Sequence, residues 1–291
     1  MEMGGPPSEL WPSWSPGVKA ESPPLTLAAP RHAGQYLLSH SRLLWRVTWN
    51  ELRARYAGSV LGLGWAVLTP LMVLAIYATV YLFVFRVQVP GLTPAGYVLF
   101  IFSGLVPFLM TSEALSGGVA SVSANKSVWS NTIFPADLAP VKAVLLGQMP
   151  MLVGLPCLVL ALALSGGLHW PLLLVPAVWA LHVLALIGLT WALSLVNLVL
   201  RDLQNLVSLL LMALMVASPI AYTTEMVPAG LKPLLAFNPF AYYVITYQNI
   251  LVLGRWPAAA DLAILAGTAV AAFGLGGLFF ARAKALLIDY A

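Results

Sequence analysis

A chain of 291 residues that is 60% hydrophobic and only 8% charged lacks the polar side chains to coat a soluble domain, where roughly a quarter of residues carry charge. Composition therefore assigns it to the membrane class. Its net charge of +4 is dispersed along the edges of apolar runs, which excludes a nucleic-acid patch, and a single cysteine, Cys157, excludes an intramolecular disulfide.

Residues 1–40 are rich in proline and contain no apolar stretch of the length a cleaved signal requires. They read as a flexible cytoplasmic leader, and residues 41–291 as a single transmembrane domain. A patterned segment follows at 43–56. Arg42, Arg46, Asn50 and Arg53 fall within about 80° of one another on a helix, and Trp45, Trp49, Leu52 and Tyr56 form a second stripe beside them. Rings beside guanidinium groups suit a helix lying in the headgroup layer. A plain positively charged anchor for the first span is the alternative reading.

Six stretches have the roughly 20 mostly apolar residues that a spanning helix needs: 60–85, 97–119, 141–164, 172–198, 203–221 and 259–280. Helices are expected because each satisfies its own backbone in lipid, and the alternating ten-residue segments of a transmembrane barrel are absent. With six spans both termini share one side. That side carries 11 of the Lys and Arg residues and the other only Arg86, Lys232 and Arg255, so both termini are expected in the cytoplasm.

Two positions inside the spans have more than one reading. Tyr77, Tyr81 and Phe85 repeat every fourth residue toward the outer end of span one, either as an interfacial aromatic belt or as a surface along which sugar rings slide. Glu113 lies within span two, where a carboxylate needs water or a cationic partner. That partner is an arginine of the 43–56 helix or Arg201; otherwise span two ends early and Glu113 reaches the interface.

The connection 222–258 is too apolar for a solvated loop, and its prolines cut it into pieces too short to span. Phe240, Tyr243, Val244, Tyr247 and Leu251 recur at helical spacing, after a shorter helix near 231–237. The pair is either re-entrant at the outer face or a belt lying on the surface.

Catalytic constellations are missing from the sequence. His32, His40, His169 and His182 are scattered without metal-ligand spacing, no paired-carboxylate or Gly-x-Ser-x-Gly motif occurs, and no Walker sequence is present. No metal site is expected, and the chain is not expected to be an enzyme by itself.

The ordered motifs resemble those of the membrane subunits of ABC transporters that export bacterial surface polysaccharides such as O-antigen, capsule and teichoic acid. Arg55, Tyr56, Gly58, Ser59, Leu61, Gly62, Trp65 and Pro70 carry the likeness first. "NKSVWSNTIFPADLAPVK" at 125–142, "RDLQNLVSLLLMALMVASPIAYTTEMVP" at 201–228 and "FNPF" at 237–240 continue it, so that it covers roughly residues 40–284. The resemblance implies an all-α integral membrane fold with six spans, an N-terminal amphipathic interface helix and two short re-entrant outer gate helices within 228–251. It also implies a bacterial inner-membrane location, a second copy of the chain, and two ATP-binding subunits that hold ATP and Mg²⁺, with none bound here. Membrane lipid and a lipid-linked polysaccharide complete the expected partners.

Under that resemblance Arg46, Asn50, Arg53, Arg55, Lys126, Trp129, Phe134, Arg201 and Asp202 face the ATPase subunit. Tyr77, Tyr81 and Phe85 line the channel, Glu113 is an intramembrane charge, and Phe237, Phe240, Tyr243 and Tyr247 belong to the outer gate. Three other readings remain: an exporter of a drug or lipid, a membrane-embedded transferase, and a passive channel or scaffold.

Overall fold

The computed structural model describes residues 29–62, 64–124 and 135–290, with side chains from 34 to 284 within those ranges. The described chain is helical, with no strand among these residues. Helix α1 is Ala29–Ser39, α2 is Ser41–Arg55, and α3 is Gly64–Thr79, prolonged by a π-helical turn over Val80–Val84. Helix α4 is Pro94–Ala124, α5 is Leu138–Leu146 and α6 is Met149–Leu164. A 3₁₀ turn at Trp170–Leu174 leads into α7, Val175–Val199, and α8 is Leu203–Ala217. Helix α9 is Lys232–Ala236, α10 is Pro239–Gln248 with a π turn at Asn249–Leu253, and α11 is Ala259–Tyr290.

Five helical segments are long and apolar enough to cross a bilayer: Gly64–Val84, Pro94–Ala124, Leu138–Leu164, Trp170–Val199 and Ala259–Lys284. The fifth of the six expected spans is shorter than the sequence pattern implied. Helix α8 has 15 residues, a length of about 22 Å against the roughly 30 Å of a hydrocarbon core. Pro219 stops it, because proline disfavours helical backbone at the residue before it, and Ser218 is extended at ψ 145°.

Lipid gives no partners to carbonyls freed by such a break, so the protein supplies them. Gln248 Nε2 donates to the carbonyls of Pro219 and Ile220 at 2.8 and 3.1 Å, and the Tyr97 hydroxyl donates to that of Ala221 at 2.5 Å. The break is thereby stitched to α10 and α4.

Helix α4 is the central post. Of its apolar stretch 72% is buried, against 6% for α3, which stands against the bundle with most of its surface free. Span three is interrupted between α5 and α6, where Gln148 accepts from Trp179 Nε1 at 2.8 Å and so ties the break to α7. Helices α7 and α11 cross in close contact at Gly188 and Gly276. A Cβ on either glycine would collide with backbone of the facing helix, so only glycine permits this crossing.

Two expected boundaries change. Residues 29–39, assigned to the leader, are helical: Tyr36 and Leu37 are apolar enough to pack on the core, and α1 lies against α11. Residues 1–28 of the leader lie outside the described residues. Span one begins at Gly64, not at residue 60, because Gly58 and Gly62 take left-handed φ values of 79° and 50° and turn the chain first.

Candidate functional site

Helix α2 has three longitudinal stripes, not two. Leu44, Thr48 and Leu52 are buried, forming the face that docks on the bundle. Trp45 and Trp49 are exposed and stacked at 6.0 Å, and Arg53 lies over the Trp49 ring at 5.1 Å. Arg42, Arg46, Asn50 and Arg53 make the outward face. Leu52, expected in the aromatic stripe, lies between the two stripes at 100° per residue, and packing buries it with Leu44 and Thr48.

Arg55 does not belong to the outward basic face. It falls close to the buried stripe and reaches span two, where its guanidinium meets the Glu113 carboxylate at 3.4 Å. One turn earlier, Glu51 pairs with Lys142 of α5 at 2.5 Å, and the Lys142 side chain is only 9% exposed. Two ion pairs of opposite polarity thus fasten α2 to α4 and α5. Between them lies a cavity of about 390 Å³ floored by small residues, among them Gly117, Ala120 and Gly147. Helix α4 continues 11 residues past Glu113, and the carboxylate is met by an arginine of the 43–56 segment.

A second ion pair cluster braces the same end of the bundle. Asp137, just before α5, pairs with Lys284 of α11 at 2.8 Å, and its carbonyl accepts from Trp191 Nε1 of α7 at 2.9 Å. Burial, with the nearby Asp137 charge adding to it, pushes the Tyr36 phenol of α1 well above its ordinary range, so it stays neutral. Four elements converge on Asp137.

Between α2 and α3 the chain bends, closed by backbone bonds such as Gly62 N–H to the Ser59 carbonyl at 3.2 Å. Trp65 Nε1 crosses the bend to Ser59 Oγ at 3.1 Å. Helix α2 is therefore bolted to α4 and α5 but joined to α3 through a bend that holds two left-handed glycines.

At the far end of α3, Tyr77 and Tyr81 stack at 5.8 Å and Tyr81 meets Phe85 edge-on at 5.5 Å. The Tyr77 hydroxyl donates to the Met215 carbonyl of α8 at 3.5 Å. The expected stripe is thus a continuous ladder of three rings, half-buried at the tyrosines and open at Phe85.

A chain that is helical throughout its described residues, with five helices long and apolar enough to cross a membrane, has a counterpart among known families: residues 42–252 match the ABC-2 type transporter family. The chain belongs to that family.

Its ABC-2 relatives include the O-antigen export system permease protein RfbA of Myxococcus xanthus, 30% identical over 80% of this chain and 89% of the relative. The permease of that name from Klebsiella pneumoniae is 29% identical over 73% and 81% of the two chains. The polysialic acid transport protein KpsM of Escherichia coli is 22% identical over 81% and 92%.

The other expected site residues of this ABC-2 chain distribute unevenly. Arg201 and Asp202 are exposed in the turn between α7 and α8, and Lys126, Trp129 and Phe134 lie outside the described residues. Of the four residues assigned to an outer gate, only Phe237 is exposed; Phe240, Tyr243 and Tyr247 are buried. The reason is that α10 inserts among α4, α7 and α11 and does not lie on the surface as a belt. Asn238 caps it, accepting from the Phe240 and Ala241 amides at 3.0 and 3.3 Å while donating to Ser218 at 2.9 Å.

Sequence reasoning missed His182. It is fully enclosed, stacked on Tyr243 at 3.9 Å, with Nε2 at 2.9 Å from Thr111 Oγ1. Since the Thr111 hydroxyl donates to the Pro107 carbonyl at 2.8 Å, His182 is the donor in the first bond. The pair joins α4, α7 and α10. A histidine in mid-span was itself the available signal, because intramembrane polar groups need partners. Among the described residues no group of three or more His, Cys, Asp or Glu gathers to hold a metal.

Proposed function

We propose that this chain is the membrane-embedded half of an ATP-driven exporter that moves a lipid-linked polysaccharide across a bacterial inner membrane, working as two copies above two ATP-binding subunits. The observation that carries the reading is the mounting of α2, with Arg46, Asn50 and Arg53 turned outward and Glu51 and Arg55 bonded inward to α5 and α4. The names of the permease relatives support the polysaccharide. ATP and Mg²⁺ are handled by the partner subunits.

A push on α2 is carried first to α4 and α5, because the two ion pairs resist sliding while the Gly58–Gly62 bend lets α3 pivot on its own. Motion of α4 then reaches α10 through direct packing and α8 through its stitched break. In this reading α8 crosses with Ser218 and the extended residues after it completing its length, α10 is re-entrant, and both termini are cytoplasmic. The ladder Tyr77–Tyr81–Phe85 offers ring faces to sugar C–H surfaces.

Purification in mild detergent with the neighbouring ATP-binding protein tests the assembly: the two are expected in equal amount, with ATP-dependent glycan export after reconstitution. Export that needs no ATP-binding partner, or a complex that moves only a small amphiphile, refutes it.

A further inference from the structure

Helix endings in the left-handed conformation ordinarily use glycine, since a Cβ there costs about 1–2 kcal/mol. Span one ends that way on an arginine. Arg86 has φ 51°, and the Val87 amide closes back on the Tyr81 carbonyl at 2.9 Å. Among the described residues it is the only non-glycine with positive φ. A side chain at such a position carries backbone strain that glycine would avoid, and strain of this kind clusters at functional sites.

The surroundings of Arg86 indicate its use. Arg86 is exposed and makes no ion pair among the described residues. It lines a cavity of about 800 Å³ with Phe83, Gln88, Thr93 and Tyr97, and no carboxylate borders that cavity. The volume lies within the range of small-molecule sites, roughly 300–1,000 Å³. The lining combines an uncompensated guanidinium, an amide, a hydroxyl and aromatic surface, and the ring ladder ends at Phe85 immediately before it. Guanidinium pairs best with planar, bidentate anions.

We infer that this pocket at the outer end of span one is a transient subsite for a carboxylate or phosphate substituent on the sugars of the outgoing chain, with Arg86 as its counter-charge. The inference rests on the polysaccharide-export reading and adds to it a substrate class, an acidic glycan. Lipid headgroups offer the same anion chemistry, so the test separates the two sources.

The complete transporter with its ATP-binding subunit is placed in nanodiscs of phosphatidylcholine and, separately, of phosphatidylglycerol. Labelled trigalacturonate and uncharged maltotriose are then titrated in. Trigalacturonate is expected to bind about fivefold tighter than maltotriose in phosphatidylcholine, the scale of an exposed ion pair, with the preference fading as salt rises. Arg86→Gly and Arg86→Gln are expected to bring the two sugars to parity. The glycine variant also relieves the backbone, so its thermal unfolding midpoint should equal or exceed that of the parent. Equal binding of both sugars by the parent, or a preference that survives both substitutions, overturns the subsite. So does a result in which the variants change only retention of phosphatidylglycerol, since Arg86 would then be a lipid anchor. Retained ATP-driven glycan export alongside equal binding removes this inference alone, whereas loss of all glycan export by the parent complex removes the functional reading with it.

Discussion

Arg55 and Glu113 are 58 residues apart in sequence and 3.4 Å apart in space, and their contact joins the last turn of α2 to the middle of α4. Both side chains keep access to water, at 53% and 36% exposure, so the pair adds less than about 1 kcal/mol to folding. Its value lies in register: it fixes where α2 sits along α4.

Reversing one charge should therefore uncouple more than it destabilises. Arg55→Glu sets two carboxylates together, a repulsion of about 1–2 kcal/mol at a half-wet site, which shifts a conformational balance roughly tenfold. Export by the complete complex should fall by about that factor while ATP hydrolysis and membrane insertion persist. The double exchange Arg55→Glu with Glu113→Arg should restore much of the loss. Failure of the exchange to rescue, with both proteins inserted, would mean that the contact is incidental.

The neighbouring pair behaves differently because its burial is lopsided. Lys142 is 9% exposed at the side chain and Glu51 45%. Glu51→Gln strands an ammonium in a nearly dry site and should cost about 1–3 kcal/mol. Lys142→Met leaves a carboxylate that water can reach, and should cost less than half as much. Thermal unfolding of the purified protein in detergent orders the two variants, and the reverse order would disprove the asymmetry.

The bend offers a separate test of the route by which motion travels. Gly58 has φ 79° with open space around the site of a Cβ, so substitution there strains backbone without creating a clash. Gly58→Val should cost about 1–2 kcal/mol and favour a stiffer join between α2 and α3. Fewer glycan chains exported per ATP hydrolysed, in reconstituted vesicles, is the expected consequence. An unaltered ratio with normal protein levels would exclude a pivot at this bend.

Much of this fold is legible from hydrocarbon length alone. The apolar runs expected at 97–119, 141–164, 172–198 and 259–280 all fold as helices whose ends lie within about ten residues of those bounds, because apolar runs of that length have one stable form in lipid. The basic and aromatic stripes of α2 likewise follow from helical angle. What the pattern hides is which stripe docks: Leu44, Thr48 and Leu52 look unremarkable beside two tryptophans, yet packing buries the former and leaves the rings outside. For Phe240, Tyr243 and Tyr247 the periodicity finds one face but not its surroundings, because insertion among three spans depends on Asn238, Gln248 and Tyr97 satisfying a distant break. Such bonds link positions more than a hundred residues apart in one case, and no local spacing records them.

The ring ladder on α3 separates two meanings of an aromatic belt. If Tyr77 and Tyr81 only anchor the span at an interface, phenylalanine should weaken them and alanine weaken them further, with protein level and export declining together. If sugar rings travel along them, the requirement is a π-face with a hydroxyl for guidance. The double variant Tyr77→Phe with Tyr81→Phe should then keep most export, while the double alanine variant loses about tenfold or more, on the scale of about 0.5–1.5 kcal/mol for each of two lost ring contacts. ATP hydrolysis and copurification of the ATP-binding subunit should stay unchanged in both, since the ladder lies at the opposite end of α3 from the α2 bend. Pulse-chase appearance of surface glycan, normalised to transporter level, distinguishes the cases. Equal losses of export and of subunit association in the alanine variant would reduce the ladder to an anchor.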